Sequence, residues 1–218
     1  MEIKTECVTG FGSAVKWMRL PMESKGDSVF GKNGELVTFG EKDKVLASKL
    51  AGCKAGSGHN SFLKAIVVHA EFTATHDFIL QLYRYHFRDT ASSTSKMHSI
   101  TKGSIGDKCS SWISEYTIAI VDRLIHIHNN INDYSVDAVE REFDMIGITG
   151  KRAWGKKELF ECIIHNTPLG YELTFGEVTN YLQLKSMYKQ RKSHKMSGWS
   201  KVFVDWVKTL PQSELITG

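Results

Sequence analysis

The chain has 218 residues, 41% of them hydrophobic and 24% charged, which is ordinary for a globular protein and enough for a sizeable core. Its net charge of +4 suits an anionic small ligand but is too mild to argue for nucleic acid. No apolar run approaches the roughly 20 residues of a membrane span; no cationic start leads into an apolar signal block; and the scattered Cys7, Cys53, Cys109 and Cys162 read as reduced thiols of a cytoplasmic protein, not as a disulfide frame or zinc site.

The first 50 residues predict a short strand, a helix over AVKWMRL (14–20) and a Gly- and Lys-rich loop through GKNGE (31–35). A glycine-rich turn leads into AIVVHAEFTAT (65–75), which alternates and is β-branched at several positions, as a strand is. Asp77 is placed to cap a short helix over FILQLYRYHF (78–87). The hydroxyl tract TASSTS (90–95) then reads as turn or loop. Residues 111–131 read as a long amphipathic helix with Trp112, Tyr116, Ile120, Leu124 and Ile127 on one stripe. Further helices are expected over 135–145 and 156–165. NTPLGYELTFGEVTN (166–180) gives a turn and a strand, YLQLKSMYKQR (181–191) a helix, and KVFVDWVKTL (201–210) an amphipathic segment that stops at Pro211. Strands and helices mix without a βαβ rhythm and no linker interrupts them. The expectation is therefore a single α+β domain over residues 1–218, a mixed sheet with packed helices.

Several common sites are missing. G-x-x-x-x-G-K-[ST], H-E-x-x-H and G-x-S-x-G do not occur, and the glycines of GSGHNSF lack the G-x-G-x-x-G spacing after a strand. His126 and His128 would diverge on a helix, so no metal site is expected. Three segments remain. GSGHNSF (56–62) sets His59 and Ser61 in a glycine turn before a strand; such a turn can bring donors to a phosphate, or be an ordinary strand-entry loop. QLYRYHFRDTASSTSKMH (81–98) sets Gln81, Arg84, Tyr85, His86 and Arg88 ahead of Ser92, Ser93, Thr94, Ser95 and Lys96. That mixture suits a phosphate beside a flat heterocycle, or a solvated helix end and a polar turn. TNYLQLKSMYKQRKSHK (179–195), if helical, aligns Asn180, Leu184, Tyr188 and Arg191 along one side, with Lys185, Lys189, Lys192 and Lys195 elsewhere on its surface. A cation on an otherwise apolar stripe calls for an anion or acceptor there.

Together the three segments resemble the flavin-dependent thymidylate synthases over roughly residues 56 to 200. That family carries R-H-R-x7-S with a Gln three residues before the first Arg; Gln81, Arg84 and Thr94 keep those places. It has a Gly-His pair before a strand with a hydroxyl two places on, matched by Gly58, His59 and Ser61. It has an Asn and, eleven residues later, an Arg on one helix, matched by Asn180 and Arg191. The departures are specific: R-H-R reads Arg84-Tyr85-His86, the Ser is Thr94, a nearby Arg is Lys96, and a Glu is Ser92. A further Arg ahead of the last strand is His165, and Leu182 stands two past the Asn, where Arg is common.

The resemblance implies conversion of dUMP to dTMP, with methylenetetrahydrofolate supplying the carbon and an FAD recharged by NADPH supplying a hydride. It also implies active sites at subunit interfaces of a homotetramer. By position, Arg191 is the catalytic cation beside the pyrimidine, where its permanent charge favours loss of the ring proton. Gln81, Arg84, Ser92, Ser93, Thr94, Ser95 and Lys96 would meet the nucleotide, and His59, Ser61, Arg84, Tyr85, His86, Asn180, Ser186 and His194 the flavin. The departures leave other readings open: a nucleotide hydroxymethylase on the same scaffold, a nucleic-acid-binding module using Arg84, Arg88, Lys96 and the C-terminal lysines, or an inactive scaffold.

Overall fold

A computed structural model describes residues 1–54, 56–149 and 155–218. Its first half contains β1 (Glu2–Thr9), α1 (Phe11–Trp17), β2 (Val29–Phe30), β3 (Leu36–Thr38), α2 (Glu41–Ala51), β4 (Val67–Thr75), α3 (His76–Leu82), β5 (Arg88–Ser93) and α4 (Lys96–Ser99). Then come α5 (Glu115–Asn129), α6 (Val136–Met145), α7 (Lys156–Asn166), β6 (Glu172–Asn180), α8 (Tyr181–Arg191), α9 (Val204–Thr209) and α10 (Glu214–Thr217). The backbone divides into two compact units, one of residues 1–73, 82–93 and 174–218, the other of residues 74–81 and 94–173. The architecture is α+β, with a four-stranded sheet in the order β1-β4-β6-β5 and a separate β2–β3 hairpin.

The first unit carries the sheet. β1 pairs antiparallel with β4 and β5 with β6. Along β4 the period of two is plain: Val68, Ala70 and Phe72 are buried while His69 and Glu71 are exposed. Phe72 stacks on Phe175 of β6 at 5.5 Å and meets Trp206 of α9 edge-on at 5.4 Å. Phe203 and the fully buried Trp199 extend this aromatic row, with centroids 5.6 and 5.2 Å apart along it. Each such contact is worth about 0.5–1.5 kcal/mol beyond the area it buries. The row is what carries the core from the sheet to the far end of α8.

The second unit is built on α5, which packs on α7. Val121, Leu124, Ile125 and Ile127 meet Val139, Phe143, Leu159 and Ile163 in one apolar cluster. The Ser114 hydroxyl caps α5 by accepting from Tyr116 N at 3.2 Å.

Several expectations change. The helix expected over 78–87 ends at Leu82, and Asp77 lies in its first turn instead of capping it. The hydroxyl tract expected as loop is largely the edge strand β5, in register with β6 from Arg88↔Thr179 to Ser93↔Phe175. Ser92 and Ser93 are exposed there; a strand with one wet face needs no apolar alternation, and short β-branched or hydroxyl residues suit it. The long helix starts at Glu115, so Trp112 sits in the preceding turn; Trp112 and Tyr116 are 90% and 85% exposed, while Leu124 and Ile127 of the expected stripe are buried together with Val121, Ile125 and His128. Helix α2 was not foreseen, because its buried face is made largely of Ala47 and Ala51.

Candidate functional site

Helix α8 begins where the sheet ends. Asn180, the last residue of β6, caps it by accepting from Gln183 N at 2.9 Å. Tyr181, Leu184 and Met187 bury one side of the helix, and Gln183 is buried with them. A buried amide must be satisfied. The Gln183 Oε1 accepts from Phe87 N at 3.2 Å, and the neighbouring Thr179 hydroxyl donates to the Phe87 carbonyl at 3.1 Å. Two side chains at the β6–α8 junction thus hold both backbone groups of Phe87. That fixes the end of the turn carrying Arg84, Tyr85 and His86.

The turn and α8 enclose an open depression of about 530 Å³, lined by Arg84, Tyr85, His86 and Phe87 on one side and Gln183, Ser186, Gln190 and Arg191 on the other. This volume is within the range of small-molecule sites. Arg191 is gripped at its edge. Its guanidinium lies 4.3 Å from the Trp199 ring and 5.4 Å from the Tyr85 ring, and its Nε donates to the Tyr85 hydroxyl at 2.8 Å. The Tyr85 hydroxyl donates in turn to Gln190 Oε1 at 3.0 Å, and Gln190 Nε2 donates to the Ser186 hydroxyl at 3.3 Å. His194, one turn past α8, faces Trp199 edge-on at 6.4 Å and accepts from Met196 N at 3.2 Å through Nδ1. Burial, and then the Arg191 charge, hold its imidazole below the ordinary histidine range.

Arg88 has a different environment. Its Nε and one terminal nitrogen donate to the two carboxylate oxygens of Glu177 across the β5–β6 pair, and it also donates to the Thr90 hydroxyl. Both charged side chains are nearly inaccessible, at 6% and 2%. Burial works against the Arg88 charge, but the hydrogen bonds and charge of Glu177 outweigh it and hold the guanidinium above its usual range.

The other sequence-predicted residues distribute as follows. Gly58, at φ +82°, makes the turn into the His59–Ala65 helical turn, which packs on α8. His59 is exposed and Ser61 half-buried there, and neither is among the residues lining the depression. The Asn180 side-chain oxygen is engaged in capping. Ser92 and Ser93 are on β5. Gln81, Thr94, Ser95 and Lys96 belong to the second unit. There burial lowers Lys96, and burial followed by the Lys96 charge lowers His76. Among the described residues no three His, Cys, Asp or Glu side chains gather as a metal site, and no helix is long and apolar enough to cross a membrane. Gln183, Gln190, Phe87 and Trp199 escaped the sequence reading. The trace of the two glutamines was the strip Gln183, Ser186, Gln190, recurring at helical spacing beside the apolar one.

Chemically, the depression offers two cations, a phenol, an imidazole, two amides and a hydroxyl within one small concavity. That donor set fits an anionic ligand with a flat, carbonyl-edged ring. No family model matches the chain, and neither does any curated protein. Two crystal structures of the flavin-dependent thymidylate synthase ThyX from Helicobacter pylori, each with FAD and dUMP, are similar to it in fold. Their TM-scores are 0.68 and 0.69 at 13% and 14% identity, covering 100% of this chain and 97% of theirs. End to end, the chain has the fold of that enzyme.

Proposed function

We propose that this protein is a flavin-dependent enzyme acting on a pyrimidine nucleoside monophosphate, methylating dUMP to dTMP with methylenetetrahydrofolate and NADPH. One observation carries the reading. Arg84, Tyr85 and His86 meet Ser186 and Arg191 in one depression, inside a fold shared over its full length with an enzyme crystallised with FAD and dUMP.

The donor set described above fits a flavin, with Arg84, Tyr85, His86 and Ser186 as the residues that would hold it and His59, Ser61, Asn180 and His194 as the further flavin-facing candidates. When bound, the flavin supplies the hydride chemistry, and the protein supplies binding, orientation and electrostatics. The guanidinium of Arg191 would stabilise negative charge on the pyrimidine as its ring proton leaves. Gln81, Ser92, Ser93, Thr94, Ser95 and Lys96 would hold the nucleotide, the hydroxyls and the ammonium serving its phosphate. A cytoplasmic homotetramer with sites at its subunit boundaries completes the proposal. The nucleic-acid reading loses support from Arg88, since Glu177 already neutralises it.

The test is a titration of colourless protein with FAD, followed by dUMP, with mass analysis of the product when methylenetetrahydrofolate and NADPH are added. Flavin binding at micromolar concentration and a methylated product are expected. A hydroxymethylated product would replace the reaction while keeping the scaffold. No flavin binding at tens of micromolar would remove the function.

A further inference from the structure

The hydrogen bonds around the Tyr85 hydroxyl have a forced direction. A guanidinium can only donate, so the Tyr85 oxygen accepts from Arg191 Nε at 2.8 Å. Its single proton then goes to Gln190 Oε1 at 3.0 Å, and the Gln190 amide nitrogen donates to Ser186 at 3.3 Å. The chain starts at a cation and runs outward through the turn and back to α8. Trp199, fully buried, packs against the guanidinium at 4.3 Å, and its ring lies 6.4 Å from that of Tyr85. The contacts that hold Arg191 include the Trp199 and Tyr85 rings and the Tyr85 hydroxyl, and the bond to that hydroxyl ties its Nε to one direction. The resemblance puts an imidazole where Tyr85 stands. A phenol reaches further from the backbone than an imidazole, and here that extra reach is what brings its oxygen to Arg191.

We propose that Tyr85 is a positioning residue for Arg191, with Gln190 as its backstop, so that the phenol which departs from the family pattern helps set the orientation of the cation presented to a carbonyl-edged, planar ligand. The ligand class rests on the functional reading above; the positioning does not. The departure at Tyr85 is then a different way of holding Arg191, not a lesion in the motif. His194 reports on the same arrangement, since the Arg191 charge is one of the two causes that lower it.

The test uses the full chain and two variants. Tyr85→Phe keeps the ring and removes only the hydroxyl. Gln190→Ala removes the backstop from an exposed position, and so serves if the first variant folds poorly. The Arg191 Nε–H resonance, assigned by its loss in Arg191→Lys, is followed by solvent exchange, His194 is titrated by NMR without ligand, and dUMP affinity is measured separately. Exchange about tenfold faster in Tyr85→Phe is expected, the scale of one hydrogen bond to a charged group. A smaller acceleration is expected in Gln190→Ala. The His194 titration should move upward in Tyr85→Phe, and dUMP affinity should weaken by about tenfold. Exchange and His194 titration unchanged in both variants would overturn the proposal whatever ligand binds. If the wild-type chain binds neither FAD nor dUMP, the functional reading falls, and the exchange and titration data still decide the positioning.

Discussion

Two arginines of one unit, Arg88 on the edge strand and Arg191 at the end of α8, show how context divides the same side chain between structure and chemistry. Arg88 meets a carboxylate with two of its nitrogens in a nearly dry setting. Its charge is cancelled where it stands, and the pair ties β5 to β6. Arg191 donates to a hydroxyl and lies against two aromatic rings, among its other contacts. Those contacts orient a cation without cancelling it, which is what a site for a developing anion requires. A cation–π slot also disfavours other rotamers, so the guanidinium is preorganised before ligand arrives.

The contrast can be broken most severely at Glu177. Glu177→Ala would strand the Arg88 guanidinium in a nearly inaccessible setting, and the expected loss is about 3–5 kcal/mol of stability. The double variant Arg88→Met/Glu177→Leu should recover it to within about 1 kcal/mol of wild type or better, because the buried pair's desolvation offsets most of its attraction. Urea denaturation of the three proteins decides this. A Glu177→Ala loss below about 1 kcal/mol would mean that Arg88 finds another acceptor, and the two arginines would no longer differ in kind.

At Arg191 the expected effect is on turnover. Arg191→Ala should lower product formation by at least about 100-fold, the scale of removing one charge-stabilising donor, while flavin stays bound. Stability should fall by about 1 kcal/mol through the lost stack on Trp199. Arg191→Lys should restore only part of the activity, since an ammonium keeps the charge but not the planar fork. Normal turnover in Arg191→Ala, with flavin content checked in the same sample, would reduce Arg191 to a partner of Trp199.

Much of this contrast was within reach of the sequence. Helix α8 was expected over 181–191 and is found at Tyr181–Arg191, because its caps and apolar spacing are local signals. The strand over β4 and the helices near 135–145 and 156–165 were legible for the same reason. Arg191 stood out as a cation on an apolar stripe, and Arg84, Tyr85 and His86 as a cluster. What the sequence hid is long-range. Nothing local distinguishes Arg88 from Arg84, because Glu177 lies 89 residues away. The hydroxyl tract carried no apolar alternation, so only its pairing with β6 reveals a strand. The Tyr85–Arg191 bond spans 106 residues and depends on where the helix expected over 78–87 stops.

The clamp on Phe87 offers a milder perturbation, one that moves the turn without substituting either arginine. Gln183→Leu keeps the volume and removes the acceptor for Phe87 N. Thr179→Val removes the donor to its carbonyl. Each should lower stability by about 1 kcal/mol. Because both grip one residue, the double variant should lose clearly less or more than the sum. Denaturation midpoints for the four proteins of the cycle test this, and strict additivity would show that the two bonds act independently.

The smallest effect, and the most direct report on the Arg191 charge, is the pH response of His194. Burial and then Arg191 lower its pKa in the folded chain. The unfolded chain therefore binds the proton more readily, with a value near 6.5. The stabilisation from keeping the ring neutral is present above that value and is lost as pH falls through the lowered folded one. Arg191→Ala removes the second cause and leaves the first. The His194 titration should then shift upward without reaching the ordinary value, and the fall in stability between about pH 7.5 and about pH 5.5 should be shallower than in wild type. His76 carries a shift of the same sign, from burial and Lys96 in the other unit, so the wild-type slope alone assigns nothing; the difference between the two proteins isolates His194. An identical NMR titration of His194 in both would mean that the guanidinium does not sit where its contact with Trp199 puts it.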